Sequence, residues 1–203
     1  MKKIQIIFTL ITCVLAMACT SCKSCTHNPE VKPDTYDFED CYMADYAYMV
    51  DTYGDSAFAM YFAEAHFDTT VAHVNPDSMK VKEVIVLFQL LDKDTCVKFT
   101  HHEGCYGTDS VDIEFIKGQW LECAPIDVND TLMMTLDEAV RHLQAWDGIV
   151  PNSNVCVLRV PIYPPFPIEA YYLFGTPNDF VVMNSHTGLI IDASEALDTQ
   201  QIL

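Results

Sequence analysis

The stretch Thr135-Leu136-Asp137-Glu138 constrains the fold more than any other in the chain. A threonine followed three residues later by a glutamate is the signature of a capping box, in which each side chain satisfies a backbone N–H at the start of a helix. Leu136, Ala139, Val140, Leu143 and Trp146 then recur at spacings of three and four, and Asp147-Gly148 ends the run. A short helix with one apolar stripe must lie on something, and the sequence after it supplies strands. Val155 to Val160, Tyr171 to Phe174, Phe180 to Met183 and Leu189 to Ile191 are apolar runs, with Asn184 to Gly188 as a turn. Between the first two, Pro161 through Pro167 contains four prolines, which cannot sit in a central strand because each removes a ladder donor.

The same order is expected upstream. Asp37 is placed to cap a helix beginning at Phe38, with Glu39 and Asp40 in the first turn, where the helix dipole favours acids. Tyr42, Tyr46, Met49 and Tyr53 form its apolar stripe, and Gly54 interrupts it. The spacing of Phe58, Tyr61, Phe62 and Ala65 predicts a second helical piece over Ser56 to Phe67. The period then changes: Val84 to Leu91 and Thr95 to Thr100 read as strands joined by Asp92-Lys93-Asp94. Val111 to Phe115 alternates with its apolar residues on one face, and Lys117-Gly118 suits a hairpin turn before Gln119-Trp120-Leu121. The expected fold class is therefore α+β, with helices packed on antiparallel sheet and two αββββ units in tandem, residues 36–126 and 127–203. Half of the residues are hydrophobic and 11% aromatic, enough for a packed core in both.

The N-terminus reads as an address. Lys2 and Lys3 precede an apolar run from Ile4 to Ala18, the pattern of a secretion signal and short for a membrane span. Leu15-Ala16-Met17-Ala18-Cys19 resembles the lipobox of bacterial lipoproteins, which implies a signal peptide over residues 1–18 and lipidation of Cys19, with Cys22 as second choice. Residues 19–35, small and polar with Pro29 and Pro33, form a flexible tether. A diacylglycerol and acyl anchor would hold the chain at the envelope, expected at the outer membrane, without a spanning helix.

The Thr-x-Asp-Glu-Ala-Val helix start at Thr135 and the final strand with Thr187-Gly188 resemble PepSY and PepSY-like domains, including folds like that of a β-lactamase inhibitor. Leu189 and the long proline-rich insert depart from the family pattern. The resemblance covers the second half well and the first by order of elements. It implies a non-catalytic envelope protein that binds a protein or peptide, in an inhibitory or regulatory role, and it carries over no catalytic residue.

The net charge of −18 comes from acids spread along the chain. It disfavours nucleic acid and anionic headgroups, both of which need Lys and Arg, and it suits either solubility or a basic partner without choosing between them. Nine cysteines are compatible with export and disulfides. The first expectation is a bridge from Cys96 to Cys105 or Cys123, against buried thiols packing as small hydrophobes. His101-His102-Glu103-Gly104-Cys105 is the densest metal-capable segment and the basis of an alternative, a metal- or thiol-dependent protein; it is expected in a solvated loop. Adjacent histidines on an extended segment point opposite ways, and a second ligand motif is missing. Cys156 or Cys105 with His186 or His142 lacks any nucleophile motif, and His186 is expected in a turn without partners. No cofactor is expected. Partner contact is placed on a sheet face, a sheet edge, or the proline-rich loop with Tyr163 and Phe166.

Overall fold

The computed structural model describes residues 38–79, 81–102, 111–117, 123–161, 167–176 and 179–192. All of these fall in one compact unit that starts at Asp34. The chain runs α1 (Phe38–Tyr53), β1 (Phe58–Phe67), two 3-10 turns (Val71–His73 and Pro76–Ser78), β2 (Val81–Leu90), β3 (Thr95–His102) and β4 (Val111–Lys117). It continues with β5 (Cys123–Ala124), α2 (Leu136–Ala145), β6 (Val155–Pro161), β7 (Tyr171–Thr176), β8 (Asp179–Asn184) and β9 (Ile190–Asp192).

The strands form one antiparallel sheet in the order β4-β3-β2-β1-β6-β7-β8-β9, with β5 paired to the end of β6. Each helix is followed by a meander of four strands, and the two meanders meet where β1 pairs with β6, Phe62 opposite Arg159 through His66 opposite Val155. The expected α+β class and antiparallel sheet are observed. One helical expectation is overturned: Ser56 to Phe67 contains strand β1. The cause is a bulge. Met60 faces Phe88 and Phe62 faces Leu87, so Tyr61 is an extra residue that changes the parity of the strand. Apolar residues at 58, 61, 62 and 65 then imitate a helical stripe, whereas the fully buried positions are Met60, Ala63, Ala65 and Phe67.

Both helices lie on the same face of the sheet. Phe38, Cys41, Tyr42 and Met49 of α1, and Leu136, Ala139, Val140 and Leu143 of α2, share a core with Val86, Phe88, Val97 and Phe99 on one side and Leu158, Tyr172, Phe174 and Met183 on the other. Edge-to-face ring contacts run from Tyr46 through Phe58 and Phe88 to Phe99. Gly54 ends α1 at φ +88°, its N–H donating to Val50 at 2.9 Å. At the other end of the chain Gly188 takes φ +68° in the 184–188 turn, where the Asn184 carboxamide oxygen accepts the N–H groups of His186 and Thr187, each at 2.9 Å. A Cβ at Gly188 would lie 2.9 Å from the His142 ring of α2, so both conformation and space call for glycine.

The expected capping box is present: Thr135 N–H donates to the Glu138 carboxylate at 3.0 Å. A third group, which sequence spacing cannot show, completes the helix start. The Glu39 carboxylate of α1 accepts the Leu136 N–H at 2.7 Å, across 97 positions of sequence. The Tyr172 hydroxyl donates to the Met134 carbonyl beside it at 2.9 Å. The side chain of α1 thus caps α2, tying the two halves together above the sheet. Removing the acceptor leaves a partly buried N–H unsatisfied, so Glu39→Ala should cost about 1–2 kcal/mol in urea unfolding and Glu39→Gln clearly less. Equal stability of Glu39→Ala and the parent chain would show that this link contributes nothing.

Candidate functional site

β4 is the strand whose surroundings differ from the rest. Among the described residues it pairs with β3 alone and so closes one end of the sheet. Its alternation places Ile113 and Phe115 on the face that carries the helices, opposite Phe99 and Val97 of β3. There they remain 39% and 62% exposed, while α1 lies over β1 and β2 and meets β3 through Asp45 at His101 and through Tyr48, whose ring meets Phe99 at 5.6 Å. Asp112 and Glu114 project from the other face, and Lys98 of β3 reaches Glu114 at 3.3 Å. An edge strand with unpaired main-chain groups and exposed apolar side chains is a template for another strand. The alternation was legible in the sequence; that this apolar face would be left open was not.

A row of imidazoles and carboxylates crosses the opposite face of the same half. His66 of β1 contacts Glu64 on its own strand and approaches Glu83 of β2 at 3.9 Å. Glu83 also approaches His102 of β3 at 3.4 Å, and His102 lies 3.9 Å from Asp112. The row binds four strands laterally. Among the described residues no group of three or more His, Cys, Asp or Glu side chains is arranged to hold a metal ion.

The His101-His102 pair lies in strand β3 and not in a solvated loop, which corrects the sequence expectation. Alternation sends the two rings to opposite faces. His101 is buried against α1, its Nε2 at 2.8 and 3.0 Å from the two oxygens of Asp45. Burial pushes the Asp45 carboxyl above its ordinary range, and His101 opposes that shift. Two rings on opposite faces cannot share an ion, and Glu103, Gly104 and Cys105 lie outside the described residues.

The cysteines also depart from expectation. Cys96, Cys123 and Cys156 are buried unbridged thiols, whereas Cys41 of α1 is disulfide-bonded. Its partner lies outside the described residues, as does Cys105. Cys96 and Cys123 are kept apart by the topology. β2 and β1 intervene between β3 and β5, roughly 10 Å or more at ordinary strand spacing, beyond the reach of a disulfide. Burial raises the Cys156 thiol well above its ordinary range, and raises Cys123 as well, so both stay protonated and unreactive. Cys19, Tyr163 and Phe166 fall outside the described residues.

An open cleft of about 350 Å3 lies where α2 meets the 3-10 turns, lined by Glu39, Asp40, Asp77, Met79, Thr135, Asp137 and Arg141. Its charges are internally satisfied. Arg141 donates to Asp137 at 2.6 Å and to Asp77 at 3.0 Å, while Gln144 donates to the carbonyls of Val71 and Val74. The cleft is a clasp that fastens the 71–78 segment to α2.

His186, expected without partners, is paired: its Nε2 stands 2.6 Å from Asp130. The Leu132 N–H and then His186 hold the Asp130 carboxyl below its ordinary range. A carboxyl with a lowered folded-state pKa stabilises the fold above the ordinary carboxylate pKa, and that contribution is lost as pH falls through the lowered value. Asp130→Asn should therefore lower the melting temperature at about pH 7, and the difference from the parent chain should shrink as pH falls through the lowered Asp130 value, vanishing once the carboxyl is protonated in both states. A difference that persists unchanged at the acid end would contradict the assignment.

No family model matches the chain, and no curated protein matches it. Among solved structures, that of a candidate lipoprotein from Clostridium difficile 630 aligns with a TM-score of 0.46 at 15% identity, over 77% of this chain and 93% of the other. That likeness is too distant to transfer fold or function, and the PepSY resemblance rests on the sequence of the second half.

Proposed function

We propose that this chain is a non-catalytic binding module of the bacterial envelope, lipid-anchored through Cys19 at the outer membrane, which takes an extended segment of a protein partner onto β4. The observation that carries the binding part is the exposure of Ile113 and Phe115 on a strand whose outer edge is unpaired among the described residues. Main-chain hydrogen bonds would supply affinity there, and the two apolar side chains would be covered by the incoming segment. The two helix-and-meander halves, joined at β1 and β6, are read as PepSY-like units in tandem, which suits a scaffold more than an active site. The anchor rests on the Leu15-Ala16-Met17-Ala18-Cys19 run.

The two parts are tested separately. Full-length chain produced in a bacterium supplied with labelled palmitate should incorporate label and fractionate with membrane. Cys19→Ala should abolish both, and Cys22→Ala should leave both intact. Label retained by Cys19→Ala would refute the assignment of the anchor. For the partner, a photo-crosslinking amino acid placed at Phe115 in cells should give a discrete adduct, and one at Leu132, which is even more exposed but lies outside β4, should not. Absence of an adduct at 115, or the same adduct at both positions, would remove β4 from the reading.

A further inference from the structure

The strand that pairs with β4 describes what its outer edge, unpaired among the described residues, would accept. On its inner edge β4 is read by β3, which sets Val97 against Phe115 and Phe99 against Ile113 on one face. On the other face β3 sets Lys98 against Glu114, with the ion pair at 3.3 Å, and Thr100 against Asp112. The His102 ring also approaches Asp112, at 3.9 Å. Each side chain of a strand stands between two neighbouring strands, so those of β4 offer the outer edge the same alternation they offer β3. Asp112 and Glu114 keep side-chain exposures of 84% and 65% for that purpose.

A second copy of β4 fits poorly in the registers that set its acids opposite one another. An antiparallel copy centred on Ile113 sets Asp112 against Glu114, and one centred on Glu114 sets that residue against itself; like charges directly opposite are destabilising. The acidic net charge of −18 adds long-range repulsion between copies.

We infer that the outer edge of β4 takes an extended protein segment in which basic residues alternate with apolar ones, the basic side chains over Asp112 and Glu114 and the apolar ones over Ile113 and Phe115. This rests on the strand-addition reading above and specifies the chemistry of its partner. The two acids select by attraction of Lys or Arg and by rejection of acidic or self-paired strands. The apolar pair selects by covering exposed surface.

The test uses the full-length protein in detergent, titrated with two labelled peptides, one alternating lysine and valine and one alternating glutamate and valine, with anisotropy as readout. The lysine peptide should bind about tenfold more tightly, since two cross-strand pairs change sign between the peptides, and the preference should shrink as salt rises. Asp112→Asn with Glu114→Gln, which preserves shape, should erase the preference. Asp112→Lys with Glu114→Lys should reverse it, provided circular dichroism shows the parent spectrum. Equal binding of both peptides to the parent chain overturns the charge selection and leaves strand addition standing. Binding of neither overturns the inference itself, and the Phe115 adduct then reports independently on whether β4 meets any partner. A preference for lysine that survives in the Asn/Gln variant also overturns it, by placing the selecting charge elsewhere.

Discussion

The pairing of β1 with β6 is the constraint on which this molecule depends. Each four-strand meander could twist on its own, but the five residue pairs from Phe62–Arg159 to His66–Val155 make one sheet of both. A continuous sheet presents a continuous apolar face, and only such a face can receive two helices side by side. The small, fully buried Ala63 and Ala65 of β1 and Cys156 of β6 stand at this seam, leaving room above it for helical side chains. A meander without its partner would expose that seam on both its face and its edge, and an unpaired apolar edge invites aggregation.

Above the seam the helices are tied by polar contacts whose cost of burial is offset by good partners. Glu39 of α1 supplies a charged acceptor to the first turn of α2, where the helix dipole also favours an anion. Asp45 and His101 tie α1 down to β3, and Tyr172 ties the entry of α2 to β7. These bonds add direction to a core that is otherwise held by non-directional burial, fixing the axial position of each helix. The Arg141 and Gln144 clasp does the same for the long connection between β1 and β2.

The two ends of the sheet are unlike. At the β9 end the sheet is short, three residues, and is backed by the tight turn that Gly188 packs against α2. At the β4 end a seven-residue strand extends past the cover of α1, with aromatic and aliphatic side chains on one face and acids on the other. Natural sheets blunt such edges with charge, and here the acids fall on one face alone. That one-sided protection discourages self-association in an acidic protein while leaving an apolar ledge, and from this difference the functional reading arises.

The sequence by itself determined the local structure: the start of α2 from its capping box, β2 from a continuous apolar run, β3 and β4 from their alternation, β6 to β9 from apolar runs bounded by turn residues. These are set by interactions within a few residues, so their signals are local. Part of the candidate site was legible for the same reason, since Ile113 and Phe115 were visible as one face of an alternating strand. What that face would meet was not. The bulge at Tyr61 disguised β1 as a helix, because one extra residue converts a period of two into spacings of three and four. The pairings of Asp45 with His101 and of Asp130 with His186 each join residues 56 apart, and Glu39 meets Leu136 across 97. No pattern of nearby residues encodes such contacts. The Glu39 contact exists only once the β1–β6 joint has brought the halves together, the other two only once each helix or loop has folded onto its own strands; the tertiary structure alone decided which thiols stay apart, which histidines find acids, and which strand has an outer edge unpaired among the described residues.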